Sequence, residues 1–581
     1  MLVIHLQQRD QSPLSPGTTD EPTNPLIKQF PISWLLCPLL FQVALSVYVS
    51  AADSEGTKNK GDVPLRPNII LILADDLGFS DIGCYGGEID TPNLDRLAAE
   101  GMRFTQFYNG GVCRTTRATL LTGVHPRRRN RARLLHPDML TTAEVLKTVG
   151  YQTSLTGKWH FPQNDIGFPV YRPTDRGFDE YFGIANGCCN YFNPAKAFPN
   201  FDKGLPPLPF LHNQSELTEF PDDFYATDAF TNHAIEQIDA FSPGAKTGDA
   251  PFFIHLCYTA PHYPLHAKPE DIAKYKGHYD AGYEAIRKTR HKRLIDLGLI
   301  DTATKLSEDD PQLGDFRYDY AMTAWENVEN LDREKRRMEV YAAMVDSMDQ
   351  GIGKVMSALE RNEVADNTLV IFLSDNGGCA SHAGYSDEDQ RRKHAEYNQE
   401  LPGSVDTFDY VGPEWGWVQN SPFRRYKVWT YEGGIATPMI AHWPGHIDAG
   451  KITPAIGHVV DFMPTFTELS GAEYPNQRNG VDVLKPEGES FVSVLKGEAP
   501  SEASNSRYHF WGLYGNRAVR QGKWKMVWGT TARKWELYNL KVDRTETMDV
   551  IKKHPNQARR MEQAWLRWAK ETGYPLKGNG L

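Results

Sequence analysis

The chain has 581 residues, 40% of them hydrophobic, and a formal net charge of −11. That length can bury a large core and more than one folded unit, and the acidic balance argues against nucleic acid as the main partner. A site for anionic substrates in such a chain has to be a local basic pocket.

Residues 32–50 are apolar and uncharged and end in Ser50-Ala51-Ala52, which suits a signal peptidase cutting after Ala52. With Lys28 ahead of it, segment 1–52 is expected to be a signal peptide with a long n-region, and the mature protein to be exported to the periplasm or the exterior. Pro38 and Gln42 interrupt the run, so no stable membrane span is expected after cleavage. Residues 67–74 form a continuous apolar, β-branched run, which predicts a strand buried on both faces. It ends in Asp75-Asp76. Two adjacent carboxylates at the end of a buried strand are costly unless a cation offsets them, and open α/β sheets place ligands at strand C-termini. Residues 91–101 read as a helix with Thr91 as N-cap and Gly101 as stop.

Cys113 opens a further helix, with Arg117 four residues on and so on the same face. Thr141 and Glu144 have the spacing of a capping box. Short strands at 151–155 and 252–258 lead into Thr156-Gly157-Lys158-Trp159-His160 and Thr259-Ala260-Pro261-His262. A charged insertion, about 268–336, is expected to be helical and solvent-facing. Residues 338–360 carry apolar side chains at helical spacing, as in a helix packed on a sheet. A second buried strand, 368–374, ends in Asp375-Asn376-Gly377-Gly378. The basic stretch ending in Lys427 precedes Tyr431-Glu432-Gly433-Gly434, and segments 198–211 and 474–488 read as surface loops. Beyond about residue 500 come short strands rich in Trp and Tyr, closed by an amphipathic helix over 557–571. The alternation of strand and helix marks an α/β architecture with a small C-terminal α+β unit.

If the two strand ends lie side by side, Asp75, Asp76, Asp375 and Asn376 form an all-oxygen set, suited to Ca²⁺ or Mg²⁺ and poor for zinc. Seven cysteines are present; with Cys37 in the signal and Cys113 in the helix motif, five remain, enough for one or two bridges at most.

The segment Cys113-Arg114-Thr115-Thr116-Arg117, followed by Thr122-Gly123, resembles the signature of type I sulfatases, Cys-x-(Pro/Ala)-x-Arg and then Thr-Gly. Both strand ends match the same family's pattern, Asp-Asp-x-Gly and later Ser-Asp-Asn-Gly. The resemblance covers about residues 66–570 and is closest to bacterial arylsulfatases. It implies an alkaline-phosphatase-like fold, a large mixed sheet between helices over 65–500 and a small α+β subdomain over 501–581. It also implies hydrolysis of sulfate esters, aryl, alkyl or glycan. Cys113 is then oxidised to formylglycine by a formylglycine-generating enzyme, and its hydrated aldehyde is the nucleophile. Asp75, Asp76, Asp375 and Asn376, with the modified Cys113, carry over as ligands of Ca²⁺ or Mg²⁺. Lys158 and Lys427 would hold the sulfate oxygens and Arg117 would orient the nucleophile, the electrostatic work that dominates such catalysis. His262 would protonate the leaving alcohol and His160 would take the proton that lets sulfate leave.

Three departures are visible: Thr115 stands in place of Pro or Ala, Val428 follows Lys427 where Gly is usual, and Ile435-Ala436-Thr437-Pro438 replaces the common Arg-Val-Pro. Two rival readings share the fold. One is a phosphonate monoester or phosphodiester hydrolase, and the other is a catalytically silent sulfatase-like binding protein.

Overall fold

The computed structural model describes residues 66–125, 135–161, 171–199, 209–308, 322–382 and 388–575; the predicted signal peptide lies outside them. Ten strands form one mixed sheet: β1 (Asn68–Ala74), β2 (Met102–Tyr108), β3 (Gln152–Gly157), β4 (Glu180–Ile184), β5 (Phe210–His212), β6 (Ser215–Leu217), β7 (Phe252–Cys257), β8 (Thr368–Ser374), β9 (Ala436–His442) and β10 (Lys451–His458). Their spatial order is β10-β2-β9-β8-β1-β7-β3-β4-β5-β6. The five strands from β8 to β4 run parallel, while β9, β5 and β6 join antiparallel. The central strands are the predicted apolar runs, and both faces of β1 are covered. Ile70, Ile72 and Ala74 enter a core shared with helices Ala226–Lys246 and Leu331–Arg361. Ile69, Leu71 and Leu73 enter a second core with helices Cys113–Thr122 and Phe462–Ser470.

The register matters for function. Ala74 pairs with Ser374, Leu73 with Cys257 and Gly157 with Cys257, so β1, β8, β7 and β3 end level. Asp75, Asp375 and Lys158 therefore leave the sheet together at its C-terminal edge.

A two-residue hairpin, β11 (Gln477–Arg478) and β12 (Val481–Asp482), lies inside the predicted loop 474–488. The predicted loop 198–211 ends in β5, whose Phe210 and Leu211 are buried. The C-terminal unit is an antiparallel sheet of β13 (Tyr508–Leu513), β14 (Asn516–Gln521), β15 (Trp524–Trp528) and β16 (Trp535–Asn539). Helix Pro555–Thr572 closes its face, packing Met561 and Trp565 on Val519, Met526 and Leu537.

Two expectations are refined. Thr91 is the N-cap residue, but without a side-chain capping bond: its hydroxyl accepts the Gly83 N–H at 2.8 Å and donates to Asp95 at 3.2 Å. The charged insertion is helical over Pro269–Lys274 and Tyr283–Asp296, but one face of it is buried. Arg290 pairs there with Asp81 at 2.6 Å and Glu88 at 2.7 Å, and Arg287 donates to the Ser307 carbonyl at 2.7 Å. Guanidinium groups enter a core when every fork is paired, so charge density alone misjudged this face. The capping box at Thr141 and Glu144 is present in both directions. No helix among the described residues is long and apolar enough to cross a membrane.

Candidate active site

Helix Cys113–Thr122 starts where the sequence places it, after an extended Val112, and stops at Gly123 in the left-handed region (φ 66°). Thr115 is its third residue; its hydroxyl donates back to the Val112 carbonyl at 2.9 Å. The helix N-terminus faces the strand ends, and atoms of Asp75, Cys113 and Asp375 lie within 4.8 Å of one another. Asp75, Asp76 and His262 form a second such group. Each carboxylate has its own cation. Lys158 pairs with Asp75, Lys427 with Asp76 at 2.5 Å, and Arg117 with Asp375 at 2.8 Å. Arg117 also donates to the Lys158 carbonyl at 2.9 Å, tying the helix to the end of β3.

Asn376 donates to Asp76 at 2.7 Å, and Asp76 itself sits in the left-handed region (φ 67°), where Asp is one of the tolerated residues. Burial works against ionisation of Asp75 and Asp76, but the cations beside them overcome it and hold both below the ordinary carboxylate range. Asp375 goes the other way: burial, and then the charge of Asp75, push it up to about 7. Asp75 Oδ1 and Asn376 Oδ1 are buried and accept no hydrogen bond. Oxygen-only donors with two orphaned oxygens fit a hard divalent cation.

Burial raises the Cys113 thiol above its usual range despite Lys158 and Lys427, so the unmodified side chain is a neutral thiol and a poor nucleophile. Lys158 and Lys427 stay charged because Asp75 and Asp76 outweigh the burial that opposes them. His160 (φ 66°) and His262 lie at the partly exposed side of the cluster. His262 Nδ1 meets the Tyr263 carbonyl at 2.7 Å and its Nε2 is 3.6 Å from Asp76. Burial lowers both imidazoles, His160 further because Lys158 and Arg117 are near, so both are neutral bases. All the predicted site residues thus meet at one strand edge.

Sequence reasoning missed the groups that brace this edge. Thr116 donates to the Asp375 carbonyl at 2.6 Å and accepts the Gly110 N–H at 2.8 Å. Ser374 accepts from Leu77 N–H at 3.1 Å and donates to the Asn376 carbonyl at 2.9 Å, locking the two acidic loops together. Tyr341, read as an apolar helix position, donates to the Asp76 carbonyl at 3.2 Å and to Asp81 at 2.7 Å. Ser374 belongs to the Ser-Asp-Asn-Gly pattern and Thr116 to the Cys113 segment, but no local pattern reveals what these hydroxyls brace. At Gly377 a Cβ would lie 1.9 Å from the Gly433 carbonyl, so the two glycine-containing motifs are required for the close approach of the Asn376 and Lys427 loops. Val428, where the resemblance leads one to expect Gly, is held at φ 72° with its N–H on the Gly111 carbonyl at 2.8 Å and its carbonyl accepting from Asn516 at 3.1 Å. The left-handed backbone explains the usual glycine.

Comparison with known proteins identifies the family. The sulfatase family model matches residues 67–472, and that of the N-sulphoglucosamine sulphohydrolase C-terminal region matches 414–567. An uncharacterized sulfatase of Schizosaccharomyces pombe is 32% identical, over 89% of this chain and 95% of its own length. An arylsulfatase of Klebsiella aerogenes is 34% identical, over 71% of this chain and 88% of its own. The crystal structure of Ps i-CgsB in complex with k-i-k-neocarrahexaose superimposes with a TM-score of 0.61 at 28% identity, covering 88% of this chain and 95% of that one. The fold is the alkaline-phosphatase-like one, and of the readings left open by the sequence the family match carries the sulfate-ester one. The chain belongs to the sulfatase family and is a sulfuric ester hydrolase of arylsulfatase type.

Proposed function

We propose that this sulfatase works through Cys113 converted to formylglycine, with a divalent cation held by Asp75, Asp76, Asp375 and Asn376. The observation that carries the reading is the position of Cys113: a neutral thiol at a helix N-terminus, in reach of Asp75 and Asp375 and facing the charges of Lys158 and Lys427. Formylglycine, once formed and hydrated, supplies a hydroxyl nucleophile and a way to release sulfate without a second attack by water. Calcium suits the irregular carboxylate cage better than magnesium, which demands near-octahedral geometry.

The chain's own residues do the rest. Asp75 and Asp76 would hold the cation, which would supply positive charge beside the sulfate, and Lys158 and Lys427, now paired with those carboxylates, would then be placed to bind the sulfate oxygens. Arg117 remains paired with Asp375 and fixes the helix that presents residue 113. His262, partly exposed, takes a proton from solvent water as the anionic ester raises its pKa, and passes it to the departing alcohol oxygen as the S–O bond breaks. His160, neutral and with an unpartnered buried Nδ1, takes the proton whose loss lets sulfate leave. The substrate is a sulfate monoester whose alcohol faces the side of His160 and His262. We also propose export by the 1–52 signal, with conversion of Cys113 by a formylglycine-generating enzyme during maturation.

Release of inorganic sulfate from an aryl sulfate by purified Cys113→Ala tests the assignment. Loss of about 10³-fold or more in turnover is expected for removal of a nucleophile. Wild-type turnover in that variant would end the proposal.

A further inference from the structure

A second cluster of ligating side chains lies away from the active site, at the β4–β5 edge of the sheet. Glu180, His212 and His233 each place one ligand atom within 4.8 Å of the others. The topology explains the meeting. Phe182 of β4 pairs with Thr156 of β3 on one side and His212 of β5 on the other, and Glu180 is two residues before it on the same face. Helix Ala226–Lys246 lies over this face and lowers His233 onto it, its ring stacked on Phe182 with centroids 5.1 Å apart.

The surroundings orient each ligand. His233 Nδ1 lies 2.7 Å from the Thr156 hydroxyl, and its Nε2 lies 3.4 Å from the Gln237 amide nitrogen, which can only donate. With Nδ1 donating to the Thr156 oxygen, Nε2 offers its lone pair to a metal, which would take the place of the Gln237 amide. Asn213, in the turn after His212, donates to Glu180 Oε2 at 2.8 Å and accepts the Tyr181 N–H at 2.7 Å. That leaves the other Glu180 oxygen to ligate. His233 is buried, Glu180 is half-buried and His212 is exposed, so one ligand is rigid and the outer ones can adjust. A tetrahedral zinc site needs ligand atoms about 3.3 Å apart, given bonds of about 2.0–2.1 Å. Binding therefore requires side-chain rotation at His212 and Glu180, the exposed and half-buried ligands.

We propose that Glu180, His212 and His233 bind one zinc-type transition-metal ion, clipping the β4–β5 edge to helix Ala226–Lys246. Two imidazoles and one carboxylate are the donors such an ion prefers, unlike the oxygen-only set of the active site, which suits a hard cation.

Zinc titration of the full-length protein by calorimetry, with calcium in excess to occupy the oxygen-rich site, tests this. The wild type is expected to take up one zinc per chain and to melt at higher temperature with zinc present. His212→Ala, at an exposed position that should not disturb folding, should weaken that binding at least about tenfold and lose the thermal shift. Glu180→Gln should do the same, and cobalt added to the wild type should give the visible bands of a tetrahedral ion, absent in both variants. Zinc uptake by His212→Ala and Glu180→Gln equal to that of the wild type, or none by the wild type, would overturn the proposal.

Discussion

Asp375 shows how much one side chain does in this site. It is a proposed cation ligand and also the partner of the fully buried Arg117. From the sequence alone, removing it is expected to abolish calcium binding and activity while the protein stays folded, because the remaining carboxylates repel each other less. In the structure Asp375→Ala would leave Arg117 with Asp75 alone, at 3.8 Å, and a buried charge robbed of its partner costs about 3–5 kcal/mol. Asp375→Asn keeps the shape and mimics the protonated acid. It is expected to fold, to bind calcium at least about tenfold more weakly by calorimetry, and to lose turnover; calcium affinity equal to wild type would remove Asp375 from the cage.

The same residue sets a pH dependence. Its carboxyl is held up to about 7 in the ion-free protein, so its contribution to stability is complete below the ordinary value of 3.8 and is lost as pH rises toward 7. Asp75 and Asp76, held below the ordinary value, contribute stability that is lost only as pH falls beneath it. The rise in melting temperature on adding calcium should therefore be small near about pH 5 and largest above about pH 7. A calcium shift that does not change over this range would contradict the assignment. The chemistry-bearing side chains were legible because their types and spacings are unusual at strand ends. The bracing roles of Thr116, Ser374 and Tyr341 were not, since their hydroxyls act on backbone groups more than two hundred residues away.

At the level of elements, the level ends of β3, β7, β1 and β8 turn four sequence-distant motifs into one site. Gly157 is the tightest joint among them. Its φ is 101°, and a Cβ would lie 1.9 Å from the Cys257 carbonyl, so β3 could not keep its place beside β7. Gly157→Ala should cost at least about 1–3 kcal/mol, read as a lower urea midpoint, and should lower turnover because Lys158 follows directly. An unchanged midpoint would mean that the strand end is looser than it looks. The buried strands could be read from their β-branched runs. The insertion was half legible: its helices follow from composition, but the burial of Arg287 and Arg290 depends on Ser307, Asp81 and Glu88, partners that no local pattern reveals.

Across the whole molecule, the C-terminal sheet serves the active site by holding the Lys427 loop. Lys525 of β15 is completely buried and lies 2.8 Å from both Glu432 and Glu546. Glu432 also accepts from Tyr108 of β2 at 2.8 Å, so the glutamate of the Tyr431-Glu432-Gly433-Gly434 motif anchors the two sheets to each other. Trp511 adds a bond to the Asn109 carbonyl at 2.8 Å, just ahead of the Cys113 helix. Lys525→Met should destabilise the protein by about 3–5 kcal/mol, because it leaves two glutamates facing each other in the core. Activity and secondary structure should then be lost in one transition at a lower denaturant midpoint. A wild-type midpoint would show that the network carries no stability. The Trp-rich strands and terminal helix of this unit were legible in the sequence. Its role was not, because Glu432 and Lys525 are joined only by the packing of one sheet on the other.

The most direct test is the mass of the tryptic peptide carrying residue 113, taken from a preparation that releases sulfate from an aryl sulfate. Conversion of cysteine to formylglycine exchanges a thiol for an aldehyde and lowers the mass by about 18 Da. That species is expected in the active protein, with turnover proportional to its abundance. An active preparation whose peptide carries only unmodified Cys113 would contradict the formylglycine assignment.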